Sequence, residues 1–251
     1  MARLLDITQF LDAELCTDAI RDYAGALNGL QIENSGRVDQ VVAAVDASLP
    51  VIQEVARQSH TLLIVHHGMF WQGAQTITGP RYRKLRSAMD ADLALFSSHL
   101  PLDIHPTLGN NAMLAKALGV VETTPFFEAK GQYVGLKGSI SLDRSSLHAK
   151  LESVLGSPVH CCPAGPDRIK TVGIVTGGAG SELSQVAQEG VDTFITGEGP
   201  HWSYPLAEEL GMNVFYGGHY ATETFGVKAV AELVSRHFGI PWRFHDHPTG
   251  L

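Results

Sequence analysis

The stretch VVAAVDASLPVIQEVARQSHTLLIVHHGMFW, residues 41–71, decides the fold. Two short apolar runs, VVAAVD and TLLIVHHG, enclose a helix-like segment, SLPVIQEVARQ. Unbroken Val, Ile and Leu runs of this length suit strands covered on both faces, as in α/β proteins. Downstream, RKLRSAMDAD reads as a helix and LALFSSH as the next strand. LGNNAMLAKALGV reads as a further helix that stops at Gly119.

The second half repeats the plan. VGIVTGGAGSELSQVAQEGVDTFITGEGPHW, residues 172–202, aligns without a gap at an offset of 131. Val41 meets Val172, Ile64 meets Ile195, Gly68 meets Gly199 and Trp71 meets Trp202. A second pairing, SSHLPLD (97–103) against GGHYATE (217–223), matches at an offset of 120. It sets His99 against His219 and Asp103 against Glu223. The expected architecture is therefore α/β: two related units, 1–125 and 126–251, with mixed or mostly parallel sheets flanked by helices and a cleft between them. VETTPFFEAKGQ (121–132) reads as their junction. YVGLKGSISLD then reads as a strand, SSLHAKLESVLG as a helix and PVHCCPAGPDR as loop or edge strand.

Composition narrows the function classes. With 44% hydrophobic and 18% charged residues, the 251-residue chain can bury a full core. Its 26 acidic residues against 18 basic give a net charge of −8, which counts against a general nucleic-acid binder. Cys16, Cys161 and Cys162 form no disulfide framework and no zinc-ribbon spacing. The N-terminal segment is too acidic for a signal or transit peptide, and no apolar stretch approaches the roughly 20 residues of a membrane span. A cytoplasmic protein is expected, with no membrane partner.

The histidines carry the chemistry. His66 and His67 follow TLLIV at a strand end, where α/β sheets hold their ligands. Adjacent residues of an extended chain point to opposite sides, so both serve one site only if the chain curls or the site holds two metal ions. The ordinary reading is one ring in a turn bond and the other in solvent. Asp103 also follows a strand, where a cap is the usual role for an acid. His219 and Glu223 stand four residues apart after Gly217 and Gly218, so they share a helix face; they are either a cap or half of a metal site. Imidazole and carboxylate together suit zinc, iron or manganese. Three histidines and two carboxylates around two divalent ions would leave the site positively charged, favouring an anionic small molecule.

GLQIE, AAVDAS, LLIVHHGMFW, SSHLPLDIHPTLGNNAMLAKALG, TFITGEGPHW and GGHYATE occur in that order over nearly the whole chain. Together they resemble the GTP cyclohydrolase 1 type 2 homologue family, the Nif-three-like proteins, in its short form without an inserted domain. The resemblance implies two similar α/β domains, two divalent metal ions between them and a hexameric ring. The family's ligand pattern falls on His66, His67, Asp103, His219 and Glu223, with Glu223 bridging the ions. The implied function is that of a metal-dependent hydrolase acting on a nucleotide or phosphorylated heterocycle. A metal-bound water would attack, and no side chain can be named as the catalytic base. A metal-binding regulator or chaperone without turnover is the rival, and a nucleic-acid-binding adaptor a third reading.

Several further residues are candidates. His99 orients a metal ligand or is a core histidine, His201 reaches the same cleft or is a loop histidine, and Asp46 is a partner of a ligand or a helix N-cap. Arg81, Arg83, Lys84 and Arg86 place four cations in six positions and form either a solvated helix face or an anion-binding patch. GGAGSE (177–182) fits no phosphate-loop pattern and reads as a tight turn with Ser181 as helix cap. FHDHP (244–248) reads as a solvated tail, and Cys161 and Cys162 as structural.

Overall fold

Val41 to Val45 and Leu62 to Val65 are almost wholly buried, as unbroken apolar runs demand of strands covered on both faces. The structure is a computed structural model and describes residues 1–251 except Gln72 and Ala74. The chain begins with β1 (Ala2–Arg3), α1 (Leu4–Glu14), β2 (Gly29–Ile32), β3 (Arg37–Val38) and β4 (Gln40–Asp46). It continues through α2 (Leu49–Val55), β5 (Thr61–His67), α3 (Gly79–Asp90), β6 (Ala94–Ser97), α4 (Leu100–Asp103) and α5 (Asn110–Leu118). Next come β7 (Val121–Ala129), β8 (Gln132–Asp143), α6 (Arg144–Leu155), β9 (His160–Pro163), β10 (Arg168–Val175), α7 (Leu183–Gln188) and β11 (Thr193–Thr196). The last elements are α8 (Ser203–Leu210), β12 (Asn213–Tyr216), α9 (His219–Thr222), α10 (Thr224–Phe238) and β13 (Trp242–Phe244).

Two compact units result: Met1–Leu102 with Gly226–His247, and Asp103–Phe225 with Pro248–Leu251. The division falls at other points than the 125/126 boundary read from the sequence, for two reasons. First, β13 pairs in parallel with β4, Trp242 opposite Val41, and draws the end of the chain back into the first unit. FHDHP is consequently no free tail: Phe244 lies opposite Ala43, and the His245 N–H donates to the Ala43 carbonyl at 2.8 Å. Second, the Asn110 and Thr176 side chains donate to the Asp103 carboxylate, which places Asp103 with the second unit.

Each unit carries its own sheet, of order β13-β4-β5-β6-β2 in the first and β7-β8-β10-β11-β12-β9 in the second. A common motif sits in both. Three successive parallel strands are bordered by an antiparallel strand that precedes them in sequence: β2 beside β6, and β9 beside β12. The offset of 131 holds at the level of register, since Val41 lies opposite Leu62 and Val172 opposite Thr193. The offset of 120 does not. The Ser98 N–H donates to the Val65 carbonyl and the Gly217 N–H to the Thr196 carbonyl, so the third strands correspond at 119. His99 therefore corresponds to Gly218, and His219 to Leu100, the first residue of α4. Gly218, at φ 91, adopts a backbone that a side chain would resist there.

In the first unit α2 and α3 pack on the sheet through Val51, Ile52, Val55 and Ala88 against Val42, Leu63, Val65 and Leu95. Burying each of these Val, Ile and Leu side chains is worth about 1.5–3 kcal/mol. Ser48 caps α2, its hydroxyl accepting from the Val51 N–H. In the second unit neighbouring strand residues face opposite layers. Ile195 and Phe215 pack with Leu114, Leu147 and Leu151 from α5 and α6, while Phe194 and Val214 pack with Leu183, Val186 and Ala207 from α7 and α8. Gly119 ends α5 in the left-handed region, at φ 74.

VETTPFFEAKGQ is a strand, not a junction. Residues 121–129 form the edge strand β7, paired with β8 through a tight turn at Lys130 and Gly131, both at positive φ. Pro125 is tolerated because an edge strand leaves part of its N–H row unpaired. Cys161 and Cys162 lie in β9 as thiols, and burial pushes the Cys161 thiol up to about 11, far from a reactive thiolate.

Candidate metal centre

In the first unit, β5 ends at His66 and His67, and His99 follows β6. The strands run parallel, so their C-terminal ends meet, and His66, His67 and His99 each offer a ring nitrogen within 4.8 Å of the others. The Nδ1 of every one of these rings is held by an oxygen. That of His66 is 2.9 Å from the Ser98 carbonyl, that of His67 is 2.8 Å from Asp46, and that of His99 is 2.9 Å from Asp22. A carbonyl or an ionised carboxylate only accepts, so Nδ1 is the donor in each of these bonds, and Nε2 is the nitrogen on the other side of the ring. Metal-binding histidines are oriented by such outer partners.

Asp22 in turn takes its charge state from this contact. Burial raises its pKa, yet the His99 hydrogen bond and charge, Asn28 and the Tyr23 N–H outweigh it and hold the carboxyl at about 2. Trp71 closes over these rings, its centroid 5.0 Å from that of His99 and 5.8 Å from that of His67. A Cβ at Gly68 would lie within 2.6 Å of the Gln31 amide and the Ser97 hydroxyl, so a side chain there would have to displace them.

In the second unit the donors are mostly carboxylates. Asp103 ends α4 and is buried, with Asn110 at 2.8 Å and Thr176 at 3.4 Å both on Oδ1. Glu223 follows α9 and is 2% exposed. Asp103 and Glu223 offer oxygens within 4.8 Å of one another. His219 lies between two acids, with Nδ1 at 2.9 Å from Glu198 and Nε2 at 3.3 Å from Glu223. Burial pulls its pKa down, but the hydrogen bonds and charges of Glu223 and Glu198 push it up to about 9. Buried acids grouped this way make the spot favourable to positive charge.

The glycine turn after β10 now has a reason. Gly177, at φ 72, gives its space to Glu223, whose Oε1 lies where a side chain at that position would begin. Ser181 does not cap α7; its hydroxyl donates to Glu182 instead. His201 is exposed and lies on the turn leading into α8, outside these ligand groups. The four cations of α3 separate. Arg81 and Lys84 are half-buried, while Arg83 is exposed and Arg86 pairs with Asp90 at 2.5 Å. Burial and the Arg81 charge lower the Lys84 pKa, and the charge of Asp46 opposes them.

Sequence reading passed over Asp22, Glu198 and Gly177. The last two were within reach. At the offset of 131, Glu198 occupies the place of His67 and Gly177 that of Asp46. Asp22 lies in an irregular loop that no pattern marks.

The family model described as Duf34/NIF3 (NGG1p interacting factor 3) matches residues 2–248. The chain belongs to the Duf34/NIF3 family. A relative in Deinococcus radiodurans, called GTP cyclohydrolase 1 type 2 homolog, is 40% identical over 228 residues, covering 90% of this chain and 87% of its own. A protein of the same description in Halobacterium salinarum is 40% identical, covering 92% and 94%. Among solved structures, protein TTHA1606 of Thermus thermophilus superimposes with a TM-score of 0.90 at 37% identity, over 99% of this chain and 100% of its own. Duf34/NIF3 membership and the mixed α/β fold are thus secure, and the chain holds His, Asp and Glu groups able to bind a metal. Among the described residues no helix is long and apolar enough to cross a membrane.

Proposed function

We propose that the protein is a divalent-metal-dependent hydrolase acting on a nucleotide or phosphorylated heterocycle. In this reading His66 and His67 from the first unit and Asp103, His219 and Glu223 from the second hold two ions, with Glu223 shared. The observation that carries it is the common anchoring of the histidines. Ser98, Asp46 and Glu198 each hold an Nδ1, so in this reading Nε2 of His66, His67 and His219 is the ligand atom, that of His219 exchanging its 3.3 Å contact with Glu223 for the ion. Asp103 is fixed in place by neutral donors, Asn110 and Thr176. The donor set, imidazole with carboxylate, fits zinc, iron or manganese. When bound, such ions supply Lewis acidity and ready ionisation of water near neutral pH. The chain's own part is to hold and orient: Asp46 and Glu198 fix the imidazoles, Trp71 covers the rings of the first unit, and Gly177 admits Glu223. The homologue name of the relatives supports a nucleotide as substrate.

Elemental analysis of protein purified without chelator or affinity metal tests the reading, followed by assays on a panel of nucleotides and phosphoesters. About two equivalents of metal, with turnover lost in both His66→Ala and Glu223→Ala while folding persists, is expected. Metal without turnover on any substrate would leave a metal-binding regulator in its place, and no metal would remove both. A hexameric ring in the cytoplasm belongs to the same proposal; sedimentation should give six times the 27.0 kDa of one chain.

A further inference from the structure

The last stretch of the first unit, FHDH (244–247), carries two histidines that belong to none of the ligand groups described above. Its backbone is fixed where it leaves the sheet. Phe244 pairs with Ala43, and the next N–H, of His245, donates to the Ala43 carbonyl at 2.8 Å. On an extended chain, residues two apart share a face. His245 and His247 do so: their rings stack with centroids 6.2 Å apart, only 11° from parallel. Two imidazoles on one ion, at a metal–nitrogen distance of about 2.0–2.1 Å, have centroids roughly 4.5–6.5 Å apart. The pair already stands within that range.

The residues between and before them turn the other way. Phe244 lies under the Lys228 ammonium of α10, 4.3 Å from its ring centroid, and the charge of Asp246 also acts on Lys228. The imidazole face instead feels Glu54 of α2. Burial, and the charge of Arg243 on that same face, hold the His245 pKa below its ordinary 6.5 despite Glu54. An imidazole that stays neutral at pH 7 is the form that ligates a metal.

We propose that His245 and His247 form a separate metal site, a two-nitrogen chelate for a late first-row divalent ion, with copper(II) bound most tightly. Two imidazoles set that preference, since affinity of such donors rises across the row to copper. Water completes the coordination, because Asp246 faces Lys228. The sheet holds the segment in place beforehand, so little ordering entropy is lost on binding. Such an ion comes in addition to any held by His66, His67, Asp103, His219 and Glu223.

Copper(II) titration of the metal-stripped full chain, followed by calorimetry and electron paramagnetic resonance, tests this by comparing the parent with His245→Asn and His247→Asn. The parent is expected to take up one equivalent more than either variant, with hyperfine splitting from two imidazole nitrogens. In each variant the remaining imidazole should hold copper at least about tenfold more weakly, the chelate being lost. Nickel(II) and zinc(II) should bind the same place more weakly than copper(II). Thermal melts without metal establish that the variants are folded; His247 lies beyond β13, so its substitution spares the strand pairing. Equal copper uptake and affinity in the parent and both folded variants, or a difference signal from one nitrogen only, would overturn the proposal. The site stands apart from the hydrolase reading: a chain that turns over substrate but binds copper without regard to His245 and His247 loses this site alone.

Discussion

The two units use one strand motif to opposite chemical ends. In the first, β4 ends at Asp46 and β5 at His67, and the two side chains bond at 2.8 Å. The corresponding places in the second unit hold Gly177 and Glu198. There the glycine vacates the position of the acid, and Glu223 enters from beyond α9 to lie against it. A one-residue shift accompanies the exchange, because His99 precedes its short helix while His219 begins one. The first unit consequently gathers imidazoles and the second gathers carboxylates. Strand topology fixes where donors converge, and loop residues decide which donors they are.

The largest expected effect comes from removing a donor of either kind. Glu223→Gln keeps the shape but removes the charge and turns one acceptor oxygen into an NH2 donor; His66→Ala removes a buried imidazole. Competition against a chelator should show metal affinity lower by more than about 100-fold in each, beyond the 10–100-fold typical of an outer partner. If one variant kept its affinity, the two halves would not act on the same ions.

Gly177→Ala tests the vacancy in the second unit. The new methyl would collide with Glu223 Oε1 on a left-handed backbone. Gly190 has a similar φ, +76, with nothing within 4 Å, so Gly190→Ala carries the backbone cost alone, about 1–2 kcal/mol. Denaturant unfolding should place Gly177→Ala below Gly190→Ala by at least about 1 kcal/mol. Equal losses would mean that Glu223 moves away without cost.

Next come the outer carboxylates. Asp46→Asn and Asp22→Asn in the first unit should each lower metal affinity or displace a ring without unfolding the chain, Asp46→Asn by about 10–100-fold. Asp22→Asn bears on whether His99 is a ligand. If affinity is untouched there while Asp46→Asn reduces it, His99 only packs beside the site.

Much of this was legible beforehand because strands announce themselves: VVAAVD, TLLIV and TFIT are apolar runs whose ends the topology must bring together. The repeat at 131 survived in the strand register for the same reason, two strands joined through one helix with their paired residues equally far apart in sequence in both units. The offset of 120 failed because it crosses β6 into a loop, where one inserted glycine shifts every later residue. VETTPFFEAKGQ misled because its proline and its Lys-Gly pair are turn signals, yet an edge strand accepts the first and a hairpin needs the second. Asp22 was hidden because its role depends on a contact 77 positions away.

The smallest predicted difference lies in how each unit caps a helix. In the first, the Ser48 hydroxyl accepts from the Val51 N–H at 3.4 Å. In the second, Asp143 caps α6, accepting from the Ser146 N–H at 2.7 Å and from the Ser145 and Ser146 hydroxyls. Those three donors hold the Asp143 carboxyl at about 2, below its ordinary 3.8. A depressed carboxyl stabilises the fold fully above its ordinary pKa, and that contribution fades as pH falls through the folded value. Asp143→Ala should therefore lower Tm by a few degrees at pH 7 and progressively less from pH 4 toward 2. Ser48 does not titrate, so Ser48→Ala should cost about 0.5 kcal/mol or less at every pH, its bond being long. Thermal melts of both variants at pH 7, 4 and 2, each against the parent chain, separate the caps. An Asp143→Ala deficit that stays constant with pH would mean that the carboxylate charge contributes nothing to holding α6.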